Sequence, residues 1–316
     1  MTEDIVPAAV ILNEYGDVDV LNVVDVPRPA PGPGQVLVRV RAAGINPVEI
    51  KIRDGDLRNR WPSTFPSGQG SDFAGTVVEL GDGVTTTEVG DSVIGFVHTR
   101  SSHAEFVVAE AENIVPKPDN VTWETVGGLY VVGTSAYAAV RAVGLTPSDT
   151  VVVSAAAGGV GSLAVQLAKH AGATVIGIAG PANHEWLTAH GVIPVAHGDA
   201  VDGDRVVDRI RAVAPNGVDA FVDTYGGGYV EIALELGVPA DRINTIVDFA
   251  AAEKYGVQAK GNSEAATADV LAELAGLLSK GELELPVAAV YPLSDVRAAY
   301  RELARGHTRG KIVLLP

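Results

Sequence analysis

The sequence predicts an α/β protein of two domains, a β-rich domain followed by a doubly wound parallel sheet, and two observations carry that expectation. The first is a change of period. Up to residue 122 the chain reads as short strands separated by dense turns, whereas beyond Trp123 strands alternate with helices. The second is the stretch Thr150–Gly161, where the β-branched run Val151, Val152 and Val153 passes without a break into small residues and then a helix. A run of that kind makes a strand buried on both faces.

In the first domain, Ala8–Leu12 and Val18–Val26 read as strands broken at Gly16-Asp17. Pro27 to Pro33 carries four prolines and is a stiff connection. Gln35–Arg41 alternates apolar and polar residues, the period of a half-buried strand. Ala42–Arg53 starts as a turn and becomes a short helix. Gly75–Leu80, Asp91–Val97 and His103–Ala109 are further strands.

In the second domain, Trp123–Val143 is helix-compatible with a break at Gly133-Thr134. After the central strand, Val160–Ala171 places Val160, Leu163, Ala164, Leu167, Ala168 and Ala171 at helical spacing, and Thr174–Ile178 restarts a strand. Asn183–His190, Asp204–Val213 and Tyr229–Leu236 read as helices, and Val218–Asp223 and Ile243–Val247 as strands. Ala265–Lys280 is an amphipathic helix ended by Gly281. The tail reads as strand (Val287–Val290), helix (Leu293–Arg305) and strand (Lys311–Leu315).

Strand, glycine turn, helix and strand within about thirty residues is the context of a dinucleotide fingerprint. Here G-x-G-x-x-G becomes Ala156-Ala157-Gly158-Gly159-Val160-Gly161, so the first glycine is alanine. Gly158 lets backbone approach a pyrophosphate, whose charge would meet free N–H groups at the positive end of the helix dipole. Gly161 lets helix and strand pack closely. No Gly-Lys-Ser/Thr follows, which excludes an NTPase phosphate loop.

Composition narrows the rest. A formal net charge of −16 argues against nucleic acid as a partner. The apolar fraction is 47%, yet no apolar run of 18 residues exists, so no membrane span is expected. Cysteine is absent, removing disulfides, thiolate nucleophiles and thiolate zinc sites. No basic-then-apolar leader opens the chain, and a cytoplasmic location is expected.

Five stretches together resemble the medium-chain dehydrogenase/reductases, in the zinc-free quinone oxidoreductase and enone reductase branch. They are Gly44–Glu49, Gly70–Gly81, Gly133–Tyr137, Ala155–Gly161 with Gln166–Ala168, and Arg309–Leu314. The resemblance implies a GroES-like catalytic domain over residues 1–122 and 286–316 and a Rossmann NADP-binding domain over 123–285. It also implies a nicotinamide hydride carrier and a homodimer. Zinc-dependent relatives place a cysteine where this chain has Asn46, and Gly-His-Glu where it has Gly70-Ser71-Asp72. No metal is therefore expected, and His98 and His103 read as solvated loop residues.

Folds specific for NAD carry an acid at the end of the second strand to hold the ribose 2′-OH. That place holds Ile178-Ala179-Gly180-Pro181, which admits the 2′-phosphate of NADPH. Asn183 and His184 stand where relatives have phosphate ligands, or simply begin a helix. The resemblance adds Thr134 beside the nicotinamide ribose, Thr224 at the carboxyl edge of the sheet, Ile246 and Val247 near the carboxamide, and Lys311 in the C-terminal mark. Thr134 has an alternative as a helix hydroxyl bonded to its own backbone.

These readings lead to an expected NADPH-dependent reductase of a C=C bond conjugated to a carbonyl, or of a quinone, with a small-molecule substrate. Lys51 occupies a position where similar enone reductases carry a lysine. Its ammonium would stabilise the developing oxyanion or relay a proton, while Asn46 orients the cofactor or caps a turn. The alternative makes Lys51 and Arg53 two solvated charges on an exposed turn. Rival readings are reduction of another polarised bond, such as C=N, and a nucleotide-binding protein without turnover.

Overall fold

The computed structural model describes residues 6–198 and 205–316. The start of the predicted helix at Asp204 lies outside them. By compactness the chain divides into two units. One holds the chain up to Val131 together with Thr267–Glu282 and Pro286–Pro316; the other holds Val132–Ala266 and Leu283–Leu285.

The first unit begins with β1 (Ala8–Leu12), β2 (Asn22–Asp25), β3 (Gln35–Gly44), α1 (Pro47–Arg53) and β4 (Ser67–Gly68). It continues with β5 (Asp72–Leu80), β6 (Ser92–Phe96), β7 (Phe106–Glu110), β8 (Ile114–Pro116) and α2 (Trp123–Gly127). The helix α3 (Leu129–Ala142) carries the chain into the second unit. There β9 (Thr150–Val153), α4 (Gly159–His170), β10 (Thr174–Ala179), α5 (His184–Ala189), β11 (Ile193–Ala196) and α6 (Val206–Val213) follow. Next come β12 (Ala220–Asp223), α7 (Tyr229–Glu235), β13 (Ile243–Thr245) and α8 (Phe249–Tyr255). The first unit is completed by α9 (Ala268–Ser279), β14 (Val287–Pro292), α10 (Val296–Ala304) and β15 (Lys311–Leu315).

The first unit is built on a seven-stranded sheet in the order β14-β15-β3-β5-β6-β8, with β7 on β3, and a three-stranded sheet β2-β1-β4. β15 runs antiparallel to β3, pairing Val313 with Gly44, which brings Lys311 to the end of β3. A core of Val36, Val38, Phe73, Val77 and Val107 fills one side. Leu12, Leu21, Ile45, Tyr300 and Leu314 pack together in another.

The second unit is a five-stranded parallel sheet in the order β11-β10-β9-β12-β13. Chain order runs outward from β9 in one direction and then restarts at β12 on its other side. The switch point therefore lies between β9 and β12, where ligands of such sheets bind at the carboxyl ends. Val152, Ile176, Phe221 and Ile243 are fully buried within it. No helix among the described residues is long and apolar enough to cross a membrane.

The mixed α/β architecture matches the expectation, with local differences. Val18–Val20 is a 3-10 turn rather than strand, because the Asp17 side chain accepts from Val18 N at 2.6 Å and its carbonyl from Val20 N at 3.1 Å. The break expected at Gly133-Thr134 is absent. The helix stops instead at Gly128 and runs unbroken from Leu129 to Ala142. Four elements went unread: the short strands β4 and β8, of two and three residues, β11, only four residues long and carrying Pro194, and α8, capped by Asp248 on Ala251 N at 2.9 Å.

Candidate active site

The glycine turn forms as its residues demand. β9 ends at Val153, Ala155 takes a left-handed φ of 44°, and Gly158 caps α4. A Cβ on Gly161 would sit 2.1 Å from the Ala155 carbonyl oxygen, so only glycine fits there. The first-turn N–H groups of a helix have no intrahelical acceptor. In the 12-residue α4 they belong to Gly159, Val160 and Gly161, beside Ala156 and Ala157. This backbone fits the pyrophosphate of a dinucleotide. At the end of β10, Gly180 follows Ala179 in an extended conformation, half-buried and with no carboxylate. Asn183 starts α5 without a side-chain cap, and His184 Nε2 lies 3.2 Å from the Ala179 carbonyl oxygen.

A buried network ties together three strand ends at the switch point. Asp223 Oδ1 accepts from Ser154 Oγ at 2.7 Å, Tyr225 N at 3.0 Å and Gly226 N at 2.9 Å, while Oδ2 accepts from Thr245 Oγ1 at 2.7 Å. Thr224 donates from its hydroxyl to the Ser154 carbonyl at 2.7 Å. Ile246 N donates to the Asp223 carbonyl, and Val247 N to Thr245 Oγ1. Thr134, buried on α3, accepts from Asn262 Nδ2 at 2.6 Å. The expected residues Thr224, Ile246 and Val247 are thus joined at one edge of the sheet. Ser154 and Thr245, which hold that edge together with Asp223, were not singled out.

In the first unit, Asn46 stands before Pro47 at the start of α1, and its backbone N–H donates to Glu49 Oε2 at 2.8 Å, the reciprocal half of a capping box. The Asn46 Nδ2 group donates to Glu49 Oε1 at 3.3 Å and Asp72 Oδ2 at 3.2 Å. Lys311 Nζ donates to the Ile45 carbonyl at 2.8 Å, to Asn46 Oδ1 at 2.7 Å, and to Asp72 Oδ2 at 3.4 Å. Tyr300 donates its hydroxyl to Glu49 Oε2 at 2.6 Å and receives Gln69 Nε2 at 3.2 Å. Burial pushes both the Glu49 and Asp72 carboxyls above their ordinary values, against the opposing pull of hydrogen bonds and Lys311. The Tyr300 hydroxyl is raised well above its usual value by burial and by Glu49.

Asn46 and Lys311 therefore meet in one buried cluster, and Lys51 does not join it. Lys51 is exposed on the last turn of α1, whereas Arg53 is 2% exposed and bonded to the Gly16 carbonyl and Asp54. The pairing of Lys51 with Arg53 as two solvated charges is thus corrected: residues two apart on a helix face different ways. His98 is exposed as expected, but His103 is not a solvated loop residue. It is 1% exposed, its Nε2 lies 3.2 Å from the Gly44 carbonyl, and burial pushes its pKa down to about 4.

A β-rich unit and a parallel-sheet unit with a dinucleotide turn define a nicotinamide-dependent oxidoreductase of two-domain type. The comparisons agree. The alcohol dehydrogenase GroES-like domain family matches residues 32–138, and the zinc-binding dehydrogenase family matches residues 187–314. The quinone oxidoreductase from Coxiella burnetii is 30% identical, with a TM-score of 0.86 over 98% of this chain and 99% of its own. CurK enoyl reductase is 26% identical, with a TM-score of 0.83 over 98% and 99%. The synaptic vesicle membrane protein VAT-1 homolog of Rattus norvegicus is 29% identical over 97% of this chain and 83% of its own length. The chain belongs to the medium-chain dehydrogenase/reductase family, in its quinone oxidoreductase branch. The family binds a nicotinamide cofactor, and the α4 turn supplies the backbone that fits one.

Zinc, which the second family's description implies, does not fit the residues present. Positions 46, 71 and 72 hold Asn, Ser and Asp, and a lysine ammonium bonds to two of these side chains. Among the described residues no group of three or more His, Cys, Asp or Glu is placed to hold a metal ion.

Proposed function

We propose that this protein reduces the C=C bond of an α,β-unsaturated carbonyl, or a quinone, using NADPH and no zinc. The observation that carries the reading is the Lys311 ammonium bonded among Asn46, Asp72 and the Ile45 carbonyl. Those side chains stand where metal-dependent relatives hold their ligands, so the reaction class that needs a metal alkoxide loses its support. Similarity to the Coxiella burnetii quinone oxidoreductase and CurK enoyl reductase supports the same reading.

The cofactor, when bound, supplies hydride. The residues of this chain do the rest: Ala156–Gly161 hold the pyrophosphate, and Gly180, Asn183 and His184 receive the 2′-phosphate. Thr134, Thr224, Ile246, Val247 and Lys311 complete the cofactor set, the last by fixing the loop that carries Asn46. Asn46 caps α1, and Lys51 on that helix meets the carbonyl oxygen on which charge develops.

The test is NADPH oxidation by protein dialysed against a chelator, with a panel of enones, quinones and cyclic imines. Turnover with an enone or quinone is expected. Turnover of imines alone would overturn the substrate class, and activity lost on dialysis and restored by zinc would overturn the metal-free reading.

A further inference from the structure

We propose that the Lys311 ammonium is the resident cation of this catalytic domain, occupying an oxygen-lined site that the fold builds around it in place of a metal ion. The proposal deepens the metal-free reading above, and its tests use neither cofactor nor enone, so the two can fail separately.

An ammonium carries three N–H donors. Lys311 Nζ has three acceptors, the Ile45 carbonyl at 2.8 Å, Asn46 Oδ1 at 2.7 Å and Asp72 Oδ2 at 3.4 Å, which use all of them. Lys311 is 3% exposed and Asp72 is fully buried. A buried cation with a carboxylate and two neutral oxygens is a satisfied arrangement, and a buried carboxylate left without its cation is a costly one.

The path of the side chain is built as carefully as its end. A Cβ on Gly128 would fall 2.9 Å from Lys311 Cε, and a Cβ on Gly44 would fall 2.9 Å from the same atom and 2.9 Å from Asp72 Oδ2. The stem of Lys311 thus runs between two glycines, one at the end of β3 and one closing α2. Neither conformation calls for glycine through a left-handed φ. At Gly128 the requirement is the space the lysine fills; at Gly44 it is that space together with the Gly128 backbone, whose Cα would lie 2.6 Å from an added Cβ.

A second carboxylate extends the site. Asn46 bridges it: the carboxamide oxygen accepts from Lys311, and the carboxamide nitrogen donates to both Asp72 and Glu49. Lys311 is therefore a positioning residue for Asn46, and through the Asn46 cap for the whole of α1, on which Lys51 is carried. The cation fixes the amide orientation, because only its oxygen suits an ammonium and only its nitrogen suits the carboxylates.

Two measurements test this. In the wild-type protein labelled with 15N-lysine, one of the seven lysine ammonium groups should exchange its protons with water far more slowly than the others, and Lys311→Met should remove that signal. A wild-type spectrum with no protected ammonium would overturn the proposal. Separately, Lys311→Ala should lower Tm by about 10 °C. Adding n-propylammonium, the fragment deleted, should recover at least half of the loss, and tetramethylammonium at equal ionic strength, which has no N–H donor, should not. Lys311→Met, which fills the stem and carries no charge, should be destabilised and should respond to neither salt. Wild-type Tm in Lys311→Met, or equal recovery of Lys311→Ala by both salts, would refute a resident-cation role.

Discussion

The cofactor preference can be worked from the end of β10. If NADPH is favoured because no carboxylate follows Ala179, then Gly180→Asp should reverse the preference. Gly180 has φ −65° and ψ 150°, a conformation any residue adopts. A Cβ there would meet only the His197 ring, Nε2 at 3.3 Å and Cδ2 at 3.8 Å, and His197 is exposed and able to shift. The variant should therefore fold. A carboxylate ~6 Å from a 2′-phosphate carrying about two charges is opposed by roughly 5 kcal/mol at an effective dielectric of ~20. Half-exposure and a Debye length of ~8 Å reduce this to about 1.5–3 kcal/mol. That is a loss of ten- to a hundredfold in NADPH affinity, with NADH unchanged or improved through the ribose 2′-OH. Calorimetric titration of both nucleotides into wild type and variant measures it. Wild-type protein that binds NADH as tightly as NADPH would refute the reasoning at its root, and an unchanged ratio in Gly180→Asp would refute the placement of the phosphate.

Three further outcomes are expected. Lys51→Ala and Lys51→Met should each lower the rate of enone reduction by ~10²-fold with NADPH affinity nearly unchanged, and wild-type turnover in both would remove Lys51 from the chemistry. His103, held at about 4 against an ordinary 6.5, is neutral in the native state where the unfolded chain would be protonated. Its contribution to stability is complete above pH 6.5 and disappears as pH falls toward 4, by about 3 kcal/mol; denaturant titrations of His103→Gln should lack that portion of the slope. Asp223→Asn keeps the shape but loses a charge-assisted acceptor for Thr245 Oγ1 and the three donors on Oδ1, so Tm should fall by roughly 5–10 °C; an unchanged Tm would show that the switch-point network carries no load.

The dinucleotide turn was legible because its constraints are local. Three valines, a small-residue turn and Gly161 are neighbours in sequence, and the Ala155 carbonyl that excludes a side chain at Gly161 is six residues away. The helix break expected at Gly133-Thr134 fails for a related reason. Gly133-Thr134 carries the composition of a break, but Gly133 and Thr134 are buried in tertiary packing, and packing overrides propensity in a 14-residue helix. His103 looked solvated because nothing nearby in the chain announces the Gly44 carbonyl that it meets 59 residues away.

The polar cluster was the least legible part, and its geometry explains why. Lys311 opens the run Lys-Ile-Val-Leu-Leu, and only the family resemblance marks it in the sequence. Its partners Asn46 and Asp72 lie 265 and 239 residues earlier. Tyr300 and Glu49, 251 residues apart, lie in the sequence only as one position of the helix Leu293–Arg305 and the last residue of the Gly44–Glu49 stretch. Each residue has an adequate local explanation, so no local pattern betrays the shared site. Antiparallel pairing of β15 with β3 is what converts five separately explicable residues into one cluster, because it sets the lysine beside the start of α1. On the resident-cation proposal, the same pairing gives Asn46 and Asp72 a cationic partner from within the chain, so that neither a cysteine at 46 nor a histidine at 71 is called for.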